Sequence, residues 1–209
     1  MLRFAERLAA VRERILLIGR DPAGIEIVAV TKGRSSVEAA EAAAAGVALA
    51  ENRVQEALPK LAAIPGARWH LVGHLQSNKL ALVAGRFGLI QSLDSVRLAE
   101  LLASRDPGQR VLLQVNVSRE AQKSGVRPEN AVTAARAISA LLPLEGLMAI
   151  GPVGADPSPA FAELTRLRLA CQEATGQPLP ILSMGMSGDF EVACRAGSTM
   201  LRLGRVLFE

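Results

Sequence analysis

The chain has no tyrosine, one tryptophan and five phenylalanines in 209 residues. With so few aromatics and no run of like charge, it lacks the stacking positions and clustered Lys/Arg that nucleic-acid binding calls for. The net charge of +4 comes mostly from arginines spread along the chain, which reads as solvated surface with room for one anion site. Cysteine is nearly absent too. Cys171 and Cys194 show no CxxC or Cys/His spacing, so they read as small buried hydrophobes in a reducing compartment. No apolar run is long enough to span a bilayer, and the N-terminus carries Arg3, Glu6, Arg7, Arg12, Glu13 and Arg14, unlike a signal peptide. A soluble, cytoplasmic protein without nucleic-acid or membrane partners is expected. Neither GxGxxG nor a Walker A sequence occurs, and no Pro/Gly-rich linker divides residues 1–209, so one domain is expected.

Half the residues are apolar, enough for a well-buried core. Continuous apolar runs at 25–30, 47–50, 69–72, 89–93, 111–117, 144–150, 181–184 and 200–203 read as parallel strands buried on both faces. Between them, helical spacing occupies 37–45, 54–63, 78–84, 96–104, 129–141, 159–175 and 189–196. A leading amphipathic helix over 2–18 is expected to bury Leu2, Ala5, Leu8, Ala9, Ile15 and Leu16. Ser35 with Glu38 forms a capping box, Ser158-Pro159 and Pro128 mark helix starts, and Gly46 and Gly197 fall at C-cap positions. This pattern predicts a single (β/α)8 TIM-type barrel whose last helix is replaced or packed by the extra N-terminal one. An open doubly wound sheet is the alternative.

Barrel chemistry gathers at the C-terminal ends of the strands. The first strand ends at Val30-Thr31-Lys32-Gly33. A lysine at a buried strand end is costly to desolvate, and its neutral amine is a nucleophile for carbonyls, as in a Schiff base. The alternative pairs it with Glu51 or another acid. Ser187-Gly188 at a predicted helix start offers a hydroxyl and free N–H groups to an anion, or else a plain N-cap. Gly204 permits close backbone approach nearby, and Arg202 is either part of that site or a half-buried salt-bridge residue. His70 and His74 share a face if their strand continues, yet without a third ligand they make a poor zinc site. Met184, Met186 and Trp69 read as packing residues.

Several longer stretches carry a resemblance. They are Ala29-Val30-Thr31-Lys32, Glu51-Asn52-Arg53-Val54-Gln55-Glu56, the run Trp69-His70-Leu71-Val72-Gly73-His74-Leu75-Gln76-Ser77-Asn78-Lys79, Gln122-Lys123-Ser124-Gly125, Gly146-Leu147-Met148-Ala149-Ile150, Ser183-Met184-Gly185-Met186-Ser187-Gly188-Asp189, and 197–204. In these the chain resembles the pyridoxal phosphate homeostasis protein family, whose barrel is similar to the N-terminal domain of alanine racemase. The resemblance implies pyridoxal 5′-phosphate held as a Schiff base on Lys32, with Asn52 against the cofactor. It also implies that Ser187 and the backbone around Gly204 hold the phosphate while Arg202 faces the pyridine nitrogen. This sequence departs from the family pattern at Gly33, at Ala50 in place of a usual Gly, at Arg53 where an aromatic is common, and at Arg205 where a small hydroxyl residue is common. Arg205 could supply a charge to the phosphate instead.

Two functions fit such a site. One is a non-catalytic carrier and regulator of intracellular pyridoxal phosphate, a monomer whose partners include apo-enzymes that depend on this cofactor. The other is a racemase-type enzyme on the same barrel. An arginine opposite the ring nitrogen leaves that nitrogen unprotonated and the ring a weaker electron sink. Such racemases also use a tyrosine from an additional C-terminal domain, and this sequence has none and stops about five residues after Gly204. Both points favour the carrier.

Overall fold

The computed structural model describes residues 3–209, in which eight parallel strands close into a barrel in chain order. The strands are β1 (Glu26–Val30), β2 (Ala48–Glu51), β3 (Trp69–Leu71), β4 (Leu89–Leu93), β5 (Val111–Gln114), β6 (Leu144–Met148), β7 (Ile181–Ser183) and β8 (Met200–Leu203). Closure is through β1 and β8, paired from Glu26↔Met200 to Ala29↔Leu203, and it excludes the open sheet. The apolar runs are continuous because both strand faces are buried. Ile27, Ala29, Leu49, Leu71, Leu113, Leu147 and Leu201 pack outward beneath the helices. Val28, Ala48, Ala50, Leu89, Leu112, Met148 and Met200 fill the lumen as a separate cluster.

The helices are α1 (Phe4–Leu17), α2 (Ser36–Ala44), α3 (Val54–Ala63), α4 (Leu80–Val83), α5 (Val96–Ala103), α6 (Ala131–Ser139), α7 (Ser158–Thr175), α8 (Phe190–Arg195) and α9 (Arg205–Phe208). The capping box at α2 is complete, with Ser35 and Glu38 each accepting the other's backbone N–H. Gly46 and Gly197 follow α2 and α8 with φ of +80° and +97°. Helix α7 starts one residue earlier than predicted, because Asp156 Oδ1 accepts from the Ser158 N–H and hydroxyl and so takes over the start. Pro128 opens a 3₁₀ turn that runs into α6.

The buried face of α1 is Phe4, Leu8, Val11 and Ile15. Ala5, Ala9 and Leu16, predicted to face inward, are exposed, and Leu2 lies outside the described residues. Burying Phe4 and Val11 removes more apolar surface from water than burying two alanines. Helix α1 packs against α9, with the Phe4 and Phe208 rings 5.3 Å apart. Strand β5 ends at Gln114, short of the predicted Val117, because beyond it the chain pairs with the segment at Val126, whose N–H donates to the Gln114 carbonyl and whose carbonyl accepts the Asn116 N–H. Cys171 and Cys194 are fully buried, which pushes each thiol up to about 11.

Candidate functional site

The segments after β1, β2, β3, β6, β7 and β8 line a cavity of about 670 Å³ at the C-terminal end of the barrel. Lys32, Asn52, Ser187, Arg202, Gly204 and Arg205 all line it, with Val30, Val72, Ile150 and Met186 as apolar wall. The fold therefore gathers into one place six residues that span 174 positions of sequence, from 32 to 205.

Lys32 sits two residues beyond β1, in a turn closed by the Arg34 N–H donating to the Thr31 carbonyl at 3.0 Å. Gly33 in that turn has φ +71°, a conformation that favours glycine. The structure corrects the expectation of a desolvated lysine: Lys32 is exposed. Its availability comes instead from having no hydrogen bond or ion pair among the described residues. Glu51, the acid weighed as its partner, is fully buried and engaged by Lys60, with Nζ to Oε1 at 2.6 Å.

Asn52 follows β2 and is exposed to the cavity. Its backbone lies so close to Gly73 that a Cβ there would fall 1.9 Å from the Asn52 carbonyl oxygen, so only glycine fits after β3. This explains the glycine at position 73 in the Trp69–Lys79 run.

Ser187 is not a helix N-cap. Helix α8 begins at Phe190, and Asp189 takes the cap position, its Oδ1 accepting the Met186 N–H at 2.6 Å. The Ser187 hydroxyl oxygen instead receives two backbone N–H groups, from Gly204 and Val206, each at 3.3 Å. Two amides converging on one oxygen form a small anion receptor. Arg205 lies between them in sequence, exposed and without a partner among the described residues.

Arg202 is 4% exposed on β8, and the salt-bridge alternative fails because no carboxylate lies within ion-pair distance among the described residues. Its guanidinium donates to Ser183 Oγ at 2.7 Å and to the Ala149 carbonyl at 2.8 Å. Burial lowers its pKa to about 10, with Asp189 opposing the effect. Behind it runs a chain of buried polar groups that sequence reasoning missed. Ser183 Oγ donates to Gln91 Oε1 at 2.6 Å, and Gln91 Nε2 donates to His70 Nδ1 at 3.0 Å. Burial takes His70 down to about 4, with Arg68 and Arg110 adding to the shift, so it stays neutral and accepts.

His70 and His74 do not share a face. His74 lies in the loop after β3, exposed, with Nδ1 2.9 Å from Asp94 Oδ2. No group of three or more metal-capable side chains occurs among the described residues. Met184 and Trp69 are buried as predicted, whereas Met186 is 38% exposed and lines the cavity.

Comparison with known proteins follows the same lines. The profile of the alanine racemase N-terminal domain family matches residues 7–209. The pyridoxal phosphate homeostasis protein of Pseudomonas aeruginosa is 40% identical, over 98% of this chain and 92% of its own. That of Escherichia coli K12 is 37% identical, over 98% of this chain and 95% of its own. Among solved structures, PipY of Synechococcus elongatus PCC7942 without pyridoxal phosphate matches with a TM-score of 0.89 at 34% identity, covering 99% of this chain and 100% of PipY. PipY with pyridoxal phosphate bound matches at 0.85 and 33% identity over the same shares. Alanine racemase from Corynebacterium glutamicum shares the barrel alone, at 17% identity and a TM-score of 0.77 over 98% of this chain and 60% of its own.

Proposed function

The chain belongs to the pyridoxal phosphate homeostasis protein family, on the barrel of the alanine racemase N-terminal domain, and from that membership we propose that it binds pyridoxal 5′-phosphate and carries it without catalysis. The observation that carries the reading is the convergence in one cavity of an unpaired lysine, an oxygen-centred pair of backbone amides and a buried arginine. PipY, a relative at 33% identity over its whole length, is known with pyridoxal phosphate bound.

The residues suit the cofactor's chemistry. Lys32, at the cavity and without a hydrogen bond or ion pair among the described residues, would be the amine offered to the cofactor's aldehyde, a condensation that releases water. The Gly204 and Val206 N–H groups with the Ser187 hydroxyl suit the phosphate, and Arg205 adds a cation at that end. Arg202 presents donors that keep their protons at physiological pH, the arrangement that suits an acceptor ring nitrogen. Asn52, on the cavity wall, would lie against the ring.

The carrier reading draws on the positions of the remaining acid/base groups. The titratable side chains at the cavity are Lys32, Asp189, Arg202 and Arg205. His70 is committed to Gln91 beneath Arg202, His74 borders another cavity, and Cys194 is buried outside the barrel. None of these three lines the cavity with Lys32 to exchange a second proton, as a racemase requires, and the one carboxylate that does among the described residues, Asp189, accepts the Met186 N–H. We take residues 1–209 as one cofactor-binding domain, monomeric and cytoplasmic, that passes the cofactor to dependent apo-enzymes. Among the described residues, no helix is long and apolar enough to cross a membrane.

The test is spectroscopic. Purified protein mixed with pyridoxal phosphate should develop the visible band of a lysine-bound cofactor, borohydride should trap it, and peptide mapping should find the label on Lys32. Lys32→Ala should abolish both band and label. A colourless wild type, or a label elsewhere that survives Lys32→Ala, refutes the assignment. Sustained racemisation of L- or D-alanine, well above that by free cofactor, refutes the carrier reading.

A further inference from the structure

One buried charge pair plays no part in the site so far. Lys60, on α3, is 8% exposed, and its Nζ lies 2.6 Å from both Glu51 Oε1 and the Thr31 carbonyl oxygen. Glu51 and Thr31 are fully buried, and the Thr31 hydroxyl donates to the same Glu51 Oε1 at 2.6 Å. Glu51 Oε2 has no partner among the described residues. A buried ion pair is a weak source of net stability, because desolvating both charges offsets their attraction, and apolar replacements are often neutral or better. This one also leaves an acceptor unsatisfied. Its geometry calls for a different account.

The Thr31 carbonyl is the acceptor that closes the Lys32 turn, and it receives the Arg34 N–H as well as the Lys60 ammonium. The ammonium therefore holds the peptide group that joins Thr31 to Lys32. Glu51, at the other end of the pair, directly precedes Asn52, and its carbonyl accepts the Val72 N–H at 3.0 Å. A single contact thus ties together the residue before Lys32 on one strand and the residue before Asn52 on the next, and fastens both to α3.

We propose that Lys60 and Glu51 are a positioning pair that presents Lys32 and Asn52 to the ligand in the cavity. The inference rests on reading that cavity as a pyridoxal phosphate site. The Lys32 ammonium makes no hydrogen bond or ion pair among the described residues, so the backbone beneath it fixes where its flexible stem starts. A turn released from its buried cation samples more conformations, and each binding event then carries the cost of ordering it again.

The experiment compares wild type with the double variant Lys60→Met/Glu51→Leu, which removes both charges together so that neither is left buried alone. Thermal unfolding is measured without cofactor, and pyridoxal phosphate is titrated while the lysine-bound absorbance is followed. Amide hydrogen exchange of Arg34 is measured on both cofactor-free proteins. The double variant should melt close to wild type yet bind pyridoxal phosphate about tenfold or more weakly, the scale typical of losing a group that orients a ligand's direct partner. Its Arg34 amide should exchange at least about tenfold faster. A folded double variant with wild-type affinity overturns the proposal. If the double variant does not fold, the wild-type exchange decides alone: an Arg34 amide as labile as an unbonded surface amide overturns the proposal, and strong protection supports it. A wild type that shows no lysine-bound band refutes the ligand reading, and the exchange data then judge the pair by themselves.

Discussion

Replacing Arg202 with methionine separates its possible service to the cofactor from its service to the fold. The guanidinium is buried in the lumen, and its pKa falls from 12.5 to about 10. At about 1.4 kcal/mol per tenfold, burial therefore disfavours the charged form by about 3 kcal/mol. Against that stand two hydrogen bonds from a charged donor, to Ser183 and Ala149. Each is worth about 1.5–3 kcal/mol, so about 3–6 kcal/mol in all. Methionine removes both contributions and refills part of the space, while Ser183 keeps its bond to Gln91. The cofactor-free variant should lose about 0–3 kcal/mol, which for a chain of this size lowers the melting temperature by less than about 12 °C. Losing a charged donor to the ring nitrogen should weaken pyridoxal phosphate binding by about tenfold to a hundredfold and shift the absorbance of the bound form. Scanning calorimetry without cofactor, beside a spectrophotometric titration, reads both quantities. A variant that melts far lower while binding the cofactor as wild type does would refute the reasoning and make Arg202 a strut of the barrel.

Arg205 tests the departure from the resembling family at the phosphate end. Arg205→Ser should weaken pyridoxal phosphate binding and flatten its salt dependence, since an exposed cation is screened by added salt, yet leave binding of pyridoxal without its phosphate unchanged. Equal losses for both ligands would count against a phosphate contact. His70 supplies a pH signature, because its pKa is lowered from 6.5 to about 4 by burial. Between those values the unfolded chain binds the proton and the folded one does not, so stability is full above about pH 6.5 and falls as pH drops towards 4, by up to about 3 kcal/mol. Unfolding at pH 7 and pH 5 should differ more in wild type than in His70→Gln, and equal differences would reject that linkage.

The barrel was legible in the sequence because parallel strands buried on both faces leave unbroken apolar runs, and those runs alternate with helical spacing along the whole chain. What the runs could not report is which of their few polar letters matter. Gln91 and Ser183 sit inside strands and look like lapses in an apolar pattern; only closure of the sheet brings them into line behind Arg202. Lys60 was hidden for a similar reason, as one cation on a helix with Arg53 and Glu56 nearby, where a solvated role is the ordinary one. Lys32 was found for a reason that proved incomplete. Its place after β1 drew attention, but the burial expected of it belongs to Lys60. The Ser187 hydroxyl likewise pointed to the right corner of the molecule, while its true partners, the amides of Gly204 and Val206, come from a one-turn helix too short to leave a periodic signal.

That short helix has a bearing on more than one part of the cavity. Phe208 lies against Phe4 of α1, and the Arg34 guanidinium sits 5.3 Å from the Phe208 ring while also pairing with Glu209. Arg34 closes the turn that carries Lys32, and α9 carries the amide of Val206. Two sides of the cavity are therefore moored to Phe208 and Glu209. Phe208→Ala with Glu209→Gln would loosen the Lys32 turn and the Val206 amide together, so a change at α9 would be felt on two sides of the cavity at once.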